Sequence, residues 1–189
     1  WTEELGFDEV WLTEHHFIDY GLSVDPATLA AATASRTRRV RIGLAAFILP
    51  FHHPLRVAEQ CALLDILSNG RLDVGVGRGN RPAEFAGYNV PQEENRERFD
   101  EAVEIMTRAW TEERFSYEGR FFKIPEARVI PKPVQRRLFH CLAQQRVRAL
   151  HALAAKCARF RTELRAQTDR VERAIAPVDV IWVVDSSGS

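Results

Sequence analysis

The stretch Val40–Gln60, VRIGLAAFILPFHHPLRVAEQ, decides the fold. Its first ten residues, Val40–Leu49, form an apolar run bounded by Arg39 and Pro50 and interrupted only by Arg41. A half-exposed strand would alternate apolar and polar side chains. This run does not, so it predicts a strand buried on both faces, as in parallel sheets. His53-Pro54 then opens a helix over Leu55–Leu67, which Ser68-Asn69-Gly70 closes.

The same alternation extends in both directions. Upstream, a Gly6 stop ends a helix, and a strand runs through Val10-Trp11-Leu12 to Glu14-His15-His16. Asp25-Pro26 supplies an N-cap and a first-turn proline for a helix over Ala27–Thr37. Downstream, Arg71–Gly77 predicts another buried strand, leaving through the turn Gly75-Val76-Gly77-Arg78-Gly79-Asn80. Glu94–Trp110 is amphipathic, with Phe99, Val103, Met106 and Trp110 at three- and four-residue spacing. Phe115–Phe122 predicts a surface hairpin, and Val129-Ile130 the start of a further strand. Strands alternating with helices predict an α/β fold with a parallel sheet. The spacing suits a doubly wound sheet or a (β/α)8 barrel. Either would place chemistry at the C-terminal ends of the strands. Glu14-His15-His16, Pro50-Phe51-His52-His53 and Gly77-Arg78-Gly79-Asn80 all fall there.

Composition narrows the function classes. With 189 residues, 46% of them hydrophobic, the chain can build one core. A net charge of zero gives no electrostatic case for nucleic acid or an anionic membrane. No apolar run reaches the length of a membrane-spanning helix. The opening Trp1-Thr2-Glu3-Glu4 lacks the basic and apolar regions of a secretory leader, and it has no Met, as in a piece of a longer parent. Cys61, Cys141 and Cys157 show no metal spacing and predict reduced thiols in a cytoplasmic protein.

The character of the chain changes after about Gln135. Residues 136–173 hold ten Lys or Arg against three Asp or Glu, and no glycine occurs between Gly119 and Gly188. An α/β domain needs turn glycines at intervals. Two regions are therefore expected: an α/β unit over 1–135 and an atypical basic helical tail over 136–189. The tail reads either as an appendage or as sequence from a shifted frame.

Several residue groups could carry chemistry. His15 and His16 at a strand end suit proton transfer or hydrogen bonding, or simply cap the sheet. Glu14 could orient an imidazole or be solvated. Glu14, His15, His16, His52 and His53 are metal-ligating types, but their spacing matches no metal signature, so no metal is expected. His53 before Pro54 reads as a buried helix cap. Gly75-Val76-Gly77-Arg78-Gly79 is GxGxG, not the GxGxxG of dinucleotide sites, and Asn80-Arg81-Pro82 does not open a helix cleanly. Its glycines could instead let backbone approach a flat ligand beside the Arg78 cation. Ala45-Ala46 leaves room for a planar ring, or fills core.

Taken in order, Glu3–Asp8, VWLTEHHF, RIGLAAFILPFHHPLRVAEQ, LLDILSNGRLDVGVGRGN, RFDEAVEIMTRAW and FSYEGRFFKIP…VIPKPVQ resemble the bacterial luciferase-like monooxygenases. The resemblance runs from Trp1 to about Gln135 and stops at Arg136. It implies a (β/α)8 barrel of TIM type, present here in part, with the first barrel strand upstream of Trp1. It further implies an oxidoreductase using reduced FMN and O2 on a small organic substrate, with FMN delivered by a separate flavin reductase. Deazaflavin F420 is the alternative cofactor, and an inactive fragment or partner subunit the alternative role. By the family pattern His15 is the catalytic acid/base and His16 supports it. Arg78, Gly77 and Glu14 bind the cofactor, and Ala45-Ala46 form a non-proline cis peptide beneath its ring. A homodimer or heterodimer is the expected assembly.

Overall fold

The structure, a computed structural model, describes residues 2–19 and 23–135. The basic tail expected over 136–189 lies outside the described residues.

Three parallel strands form the main sheet in the order β1-β2-β3: β1 (Glu9–Leu12), β2 (Arg41–Ile48) and β3 (Leu72–Gly77). The central strand is the apolar run of the sequence. Ile42 and Leu44 are fully buried, because β2 has a strand on either side and helices packed over it. Its Gly43 pairs with Trp11 of β1, and a Cβ at Gly43 would lie 2.2 Å from the indole ring. The glycine is therefore the socket for a tryptophan on the neighbouring strand.

Helix α1 (Pro26–Arg36) starts as its sequence predicts. The Asp25 carboxylate accepts from the Ala27 amide at 2.9 Å and the Thr28 amide at 3.3 Å, with Pro26 at the first helical position. Helix α2 (Pro54–Leu67) ends at Ser68, after which Asn69 (φ 57°) and Gly70 (φ 74°) turn the chain into β3. Residues 2–6 form a turn at the expected Gly6 stop. The Gly6 amide bonds to Glu3 O and the Phe7 amide to Thr2 O around Gly6 at φ 79°, the closing pattern of a helix C-terminus.

A six-residue helix, α3 (Pro82–Gly87), follows the glycine turn where the sequence reading expected no clean helix. Pro82 starts it in the position prolines favour. Helix α4 (Asn95–Thr111) buries Ala102, Ile105, Met106 and Ala109 against α2, and Trp110 Nε1 donates to Ala58 O at 2.9 Å. Strands β4 (Phe115–Glu118) and β5 (Lys123–Ala127) form the expected hairpin, five residues longer than predicted. One carboxylate on α4, Glu101, holds its tip by accepting from the Arg120, Phe121 and Phe122 amides.

No strand forms at Val129-Ile130. Instead of ladder pairing, the segment is held by Lys132 Nζ, which donates to Ala109 O and Glu112 O at the end of α4. Gln135 then donates through its amide and its side chain to Asp65, which is fully buried. At the same N-terminal end of the sheet Arg41 grips Asp73 with two bonds, at 2.7 and 2.5 Å. Among the described residues, no helix is long and apolar enough to cross a membrane.

Candidate active site

The C-terminal ends of the three strands carry the three groups marked in the sequence. The β2–β3 pairing is regular to Leu44↔Val74 and resumes at Phe47↔Val76. Two residues, Ala45 and Ala46, thus stand opposite one, Gly75, in a bulge, and the peptide between the alanines is cis. Both alanines are partly exposed, whereas Ile42 and Leu44 before them are fully buried. An ideal Cβ at Gly77 would lie 3.6 Å from Ala46 Cβ. Ala45, Ala46 and Gly77 therefore form a small, apolar, accessible floor at the sheet end. Arg78 is exposed beside it. Gly79 has φ 74°, and a Cβ there would sit 2.9 Å from Ile48 and 3.1 Å from Phe85. Only glycine meets both conditions without strain.

The loop after β1 is closed on itself: the His15 amide donates to Ser23 O, and Ser23 Oγ donates to Thr13 O. This sets Glu14, His15 and His16 against the rest of the site. Glu14 is 2% exposed. Its Oε1 accepts from His16 Nε2 at 2.9 Å and from His52 Nε2 at 2.7 Å, and its Oε2 accepts from the Ile48 amide at 2.9 Å. Burial opposes the charge on Glu14. The hydrogen bonds from His52, His16 and the Ile48 amide outweigh it and hold the carboxyl below its ordinary pKa.

Helix α3 supplies two partners that the sequence reading did not single out. Glu84, 2% exposed, accepts from the His16 amide at 3.1 Å and lies 3.4 Å from His15 Nδ1. The Tyr88 hydroxyl, just past the helix, lies 2.9 Å from His16 Nδ1. Burial, then the Glu14 and Glu84 charges, pushes the Tyr88 phenol above its ordinary value. Phe51 stacks on Tyr88 and meets Phe85 edge-on, closing an aromatic wall around His16.

His15, His16, Glu14, Ala45, Ala46 and Gly77 thus gather at one sheet end, with Arg78 at its rim. His52, expected only among metal-ligating types, belongs to the Glu14 cluster. His53 does sit at the N-cap of α2, but it is exposed and makes no side-chain cap bond, so it is not a buried cap. The only legible signal for Glu84 and Tyr88 was their place after the glycine turn. The site as a whole offers a paired imidazole for proton transfer, an apolar floor for a planar ring, and a cation beside it.

A family model described as "Luciferase-like monooxygenase" matches residues 2–180. The solved monooxygenase RslO1 from Streptomyces bottropensis is 46% identical, with a TM-score of 0.68 over 70% of this chain and 41% of that one. An alkanal monooxygenase alpha chain of the Kryptophanaron alfredi symbiont is 35% identical over 136 residues, 72% of this chain and 38% of its own length. The oxygenase component of a flavin-dependent trigonelline monooxygenase from Acinetobacter baylyi is 31% identical over 133 residues, 69% of this chain and 36% of its own length. The chain spans less than half the length of these relatives. On the family match and these identities, the chain belongs to the luciferase-like monooxygenase family.

Proposed function

We propose that this chain forms the flavin-facing part of a two-component monooxygenase that uses reduced FMN and O2 on a small organic substrate. Residues 1–135 would supply three consecutive strands of a (β/α)8 barrel. The observation that carries the reading is the meeting, at one sheet end, of the accessible Ala45–Ala46–Gly77 floor and the His15–Glu84 pair.

The residues present fit a flavin. The two alanine methyls and Gly77 offer a flat apolar face on which a tricyclic ring can lie, and Gly77 lets the ring approach the backbone. Arg78 places a guanidinium at the rim, suited to an electron-rich ring or its anion. Glu14, expected among the cofactor-binding residues, has its oxygens engaged by three protein donors. In this reading it supports the floor from behind, through the Ile48 amide at the end of β2. Reduced FMN, when bound, would supply the electrons that activate O2 for the substrate.

The remaining work is the protein's. His15 acts as the acid/base. A carboxylate at Nδ1 favours the tautomer with the proton there, putting the acceptor lone pair on Nε2. Glu84 thereby orients the ring and stabilises its charged form during proton transfer. Phe51, Phe85 and Tyr88 exclude water around His16. A separate flavin reductase is the partner, as the name "oxygenase component" on the trigonelline relative suggests.

Anaerobic titration of the purified chain with reduced FMN, followed by calorimetry, tests the reading. Saturable one-to-one binding is expected, with weaker binding of reduced F420 side by side. After air is admitted with substrate, His15→Ala is expected to bind FMN and fail to oxygenate. No FMN binding by a folded chain, or unchanged oxygenation in His15→Ala, overturns it.

A further inference from the structure

His15 and His16 are adjacent, yet they stand in different surroundings. His16 is 4% exposed and has a protein partner on each ring nitrogen. At Nε2 it meets Glu14, an ionised carboxylate that can only accept. Nε2 must therefore carry hydrogen. At Nδ1 it meets the Tyr88 hydroxyl at 2.9 Å, a group that can donate. The Glu14 oxygen that holds His16 also accepts a hydrogen bond from His52 Nε2, which fixes the carboxylate from a second side. Of His16, Glu84 holds the main-chain amide, and the ring nitrogens are held by Glu14 and Tyr88. The ring is further walled by Phe17, Phe51 and Tyr88 at centroid distances of 5.9, 6.0 and 4.8 Å.

We propose that Glu14 and Tyr88 are positioning residues that lock His16 as the neutral tautomer with its proton on Nε2, leaving proton exchange at the site to His15. The proposal deepens the monooxygenase reading, and its second half rests on that reading. The lock has a chemical use. Two adjacent histidines that could both donate at Nε2 and both accept would give the site two competing proton sources. Donation from Tyr88 into the Nδ1 lone pair removes one of them. The phenol suits the task because it stays protonated across the working range, so its hydrogen is always available to Nδ1.

The test uses the full chain labelled with 15N-histidine, without cofactor, in long-range 1H–15N correlation spectra near neutral pH. His16→Asn assigns the His16 signals by their loss. The expected wild-type pattern has an N–H nitrogen at Nε2 and a lone-pair nitrogen at Nδ1, the latter displaced by accepting a hydrogen bond. Tyr88→Phe is expected to move Nδ1 towards the free lone-pair position while Nε2 keeps its proton. Glu14→Gln, whose amide can donate as well as accept, is expected to give both tautomers. An imidazolium or an Nδ1–H pattern in the wild type overturns the lock, and so does an unmoved Nδ1 signal in Tyr88→Phe. The wild-type spectrum decides even if a variant fails to fold. Absence of FMN binding with the expected tautomer pattern defeats the monooxygenase reading and leaves the lock standing. In oxygenation assays the pH profile of Tyr88→Phe is expected to differ from that of wild type, and an identical profile overturns the claim that the lock keeps His16 out of proton exchange.

Discussion

Glu14 and His52 are 38 residues apart in the chain, yet Glu14 Oε1 accepts a 2.7 Å hydrogen bond from His52 Nε2. The same oxygen holds His16, and the other oxygen holds the Ile48 amide. One buried carboxylate therefore joins the end of β1 to the end of β2.

Glu14→Ala should be among the more damaging single changes. It strands two imidazole donors and a main-chain amide in a site that is in part buried, at roughly 1–3 kcal/mol for each group left unsatisfied. Urea denaturation is expected to show a loss of at least about 2 kcal/mol. A loss under about 0.5 kcal/mol, the range of ordinary surface changes, would mean that water replaces the carboxylate readily.

The acid limb of stability should carry the signature of Glu14. Its carboxyl is held below the ordinary value of 4.5, so the folded state favours the ionised form. That contribution is complete above the ordinary value and is lost as pH falls through the lower folded-state value. Denaturation midpoints of wild type and Glu14→Gln, followed from about pH 6 to about pH 3, should converge as pH falls. Parallel curves would show that Glu14 titrates alike folded and unfolded.

Gly43→Ala tests the socket between β1 and β2. The new methyl would meet the Trp11 ring well inside contact distance. Overpacking of this kind costs about 1–3 kcal/mol. Trp11→Ala should be less sensitive to the second change than wild type is, so a double-mutant cycle should show coupling. Strict additivity would mean that the ring moves aside at no cost.

Gln135→Ala should loosen the lower end of the sheet. It removes the side-chain donor from buried Asp65 and leaves, among the described residues, the main-chain amide as the hydrogen-bond donor on that carboxylate. A loss of about 1–3 kcal/mol is expected by thermal or urea unfolding, with flavin binding unchanged because the site lies at the opposite strand ends.

The strands and long helices were legible because each has a local cause. β2 announces itself by an unbroken apolar run, α1 by Asp25-Pro26, and α4 by helical spacing. Helix α3 was not legible: six residues are too few to display a period, and Pro82 reads as a breaker as easily as a start. The hairpin was underestimated because Lys123–Ala127 contains Pro125, which argues against a strand except at an edge, where β5 lies. At Val129-Ile130 two β-branched residues suggested a strand, but Lys132 and Gln135 bind other partners and no ladder forms. Within the site, the strand-end place of His15 and His16 was read from the strand pattern, and the cis Ala45–Ala46 peptide came from the resemblance. The roles of Glu84, Tyr88 and His52 depend on contacts across 38 to 72 residues, which no local pattern encodes.

The Glu14 hub bears on how such a site can change over evolutionary time or by grafting. The segments after β1, β2 and β3 share hydrogen bonds through Glu14, Glu84 and Tyr88, so none can be swapped without orphaning a partner in another. Substitutions at positions 14, 16, 52, 84 and 88 should be inherited as a set. A donor loop moved alone into this scaffold should fail where the three moved together succeed.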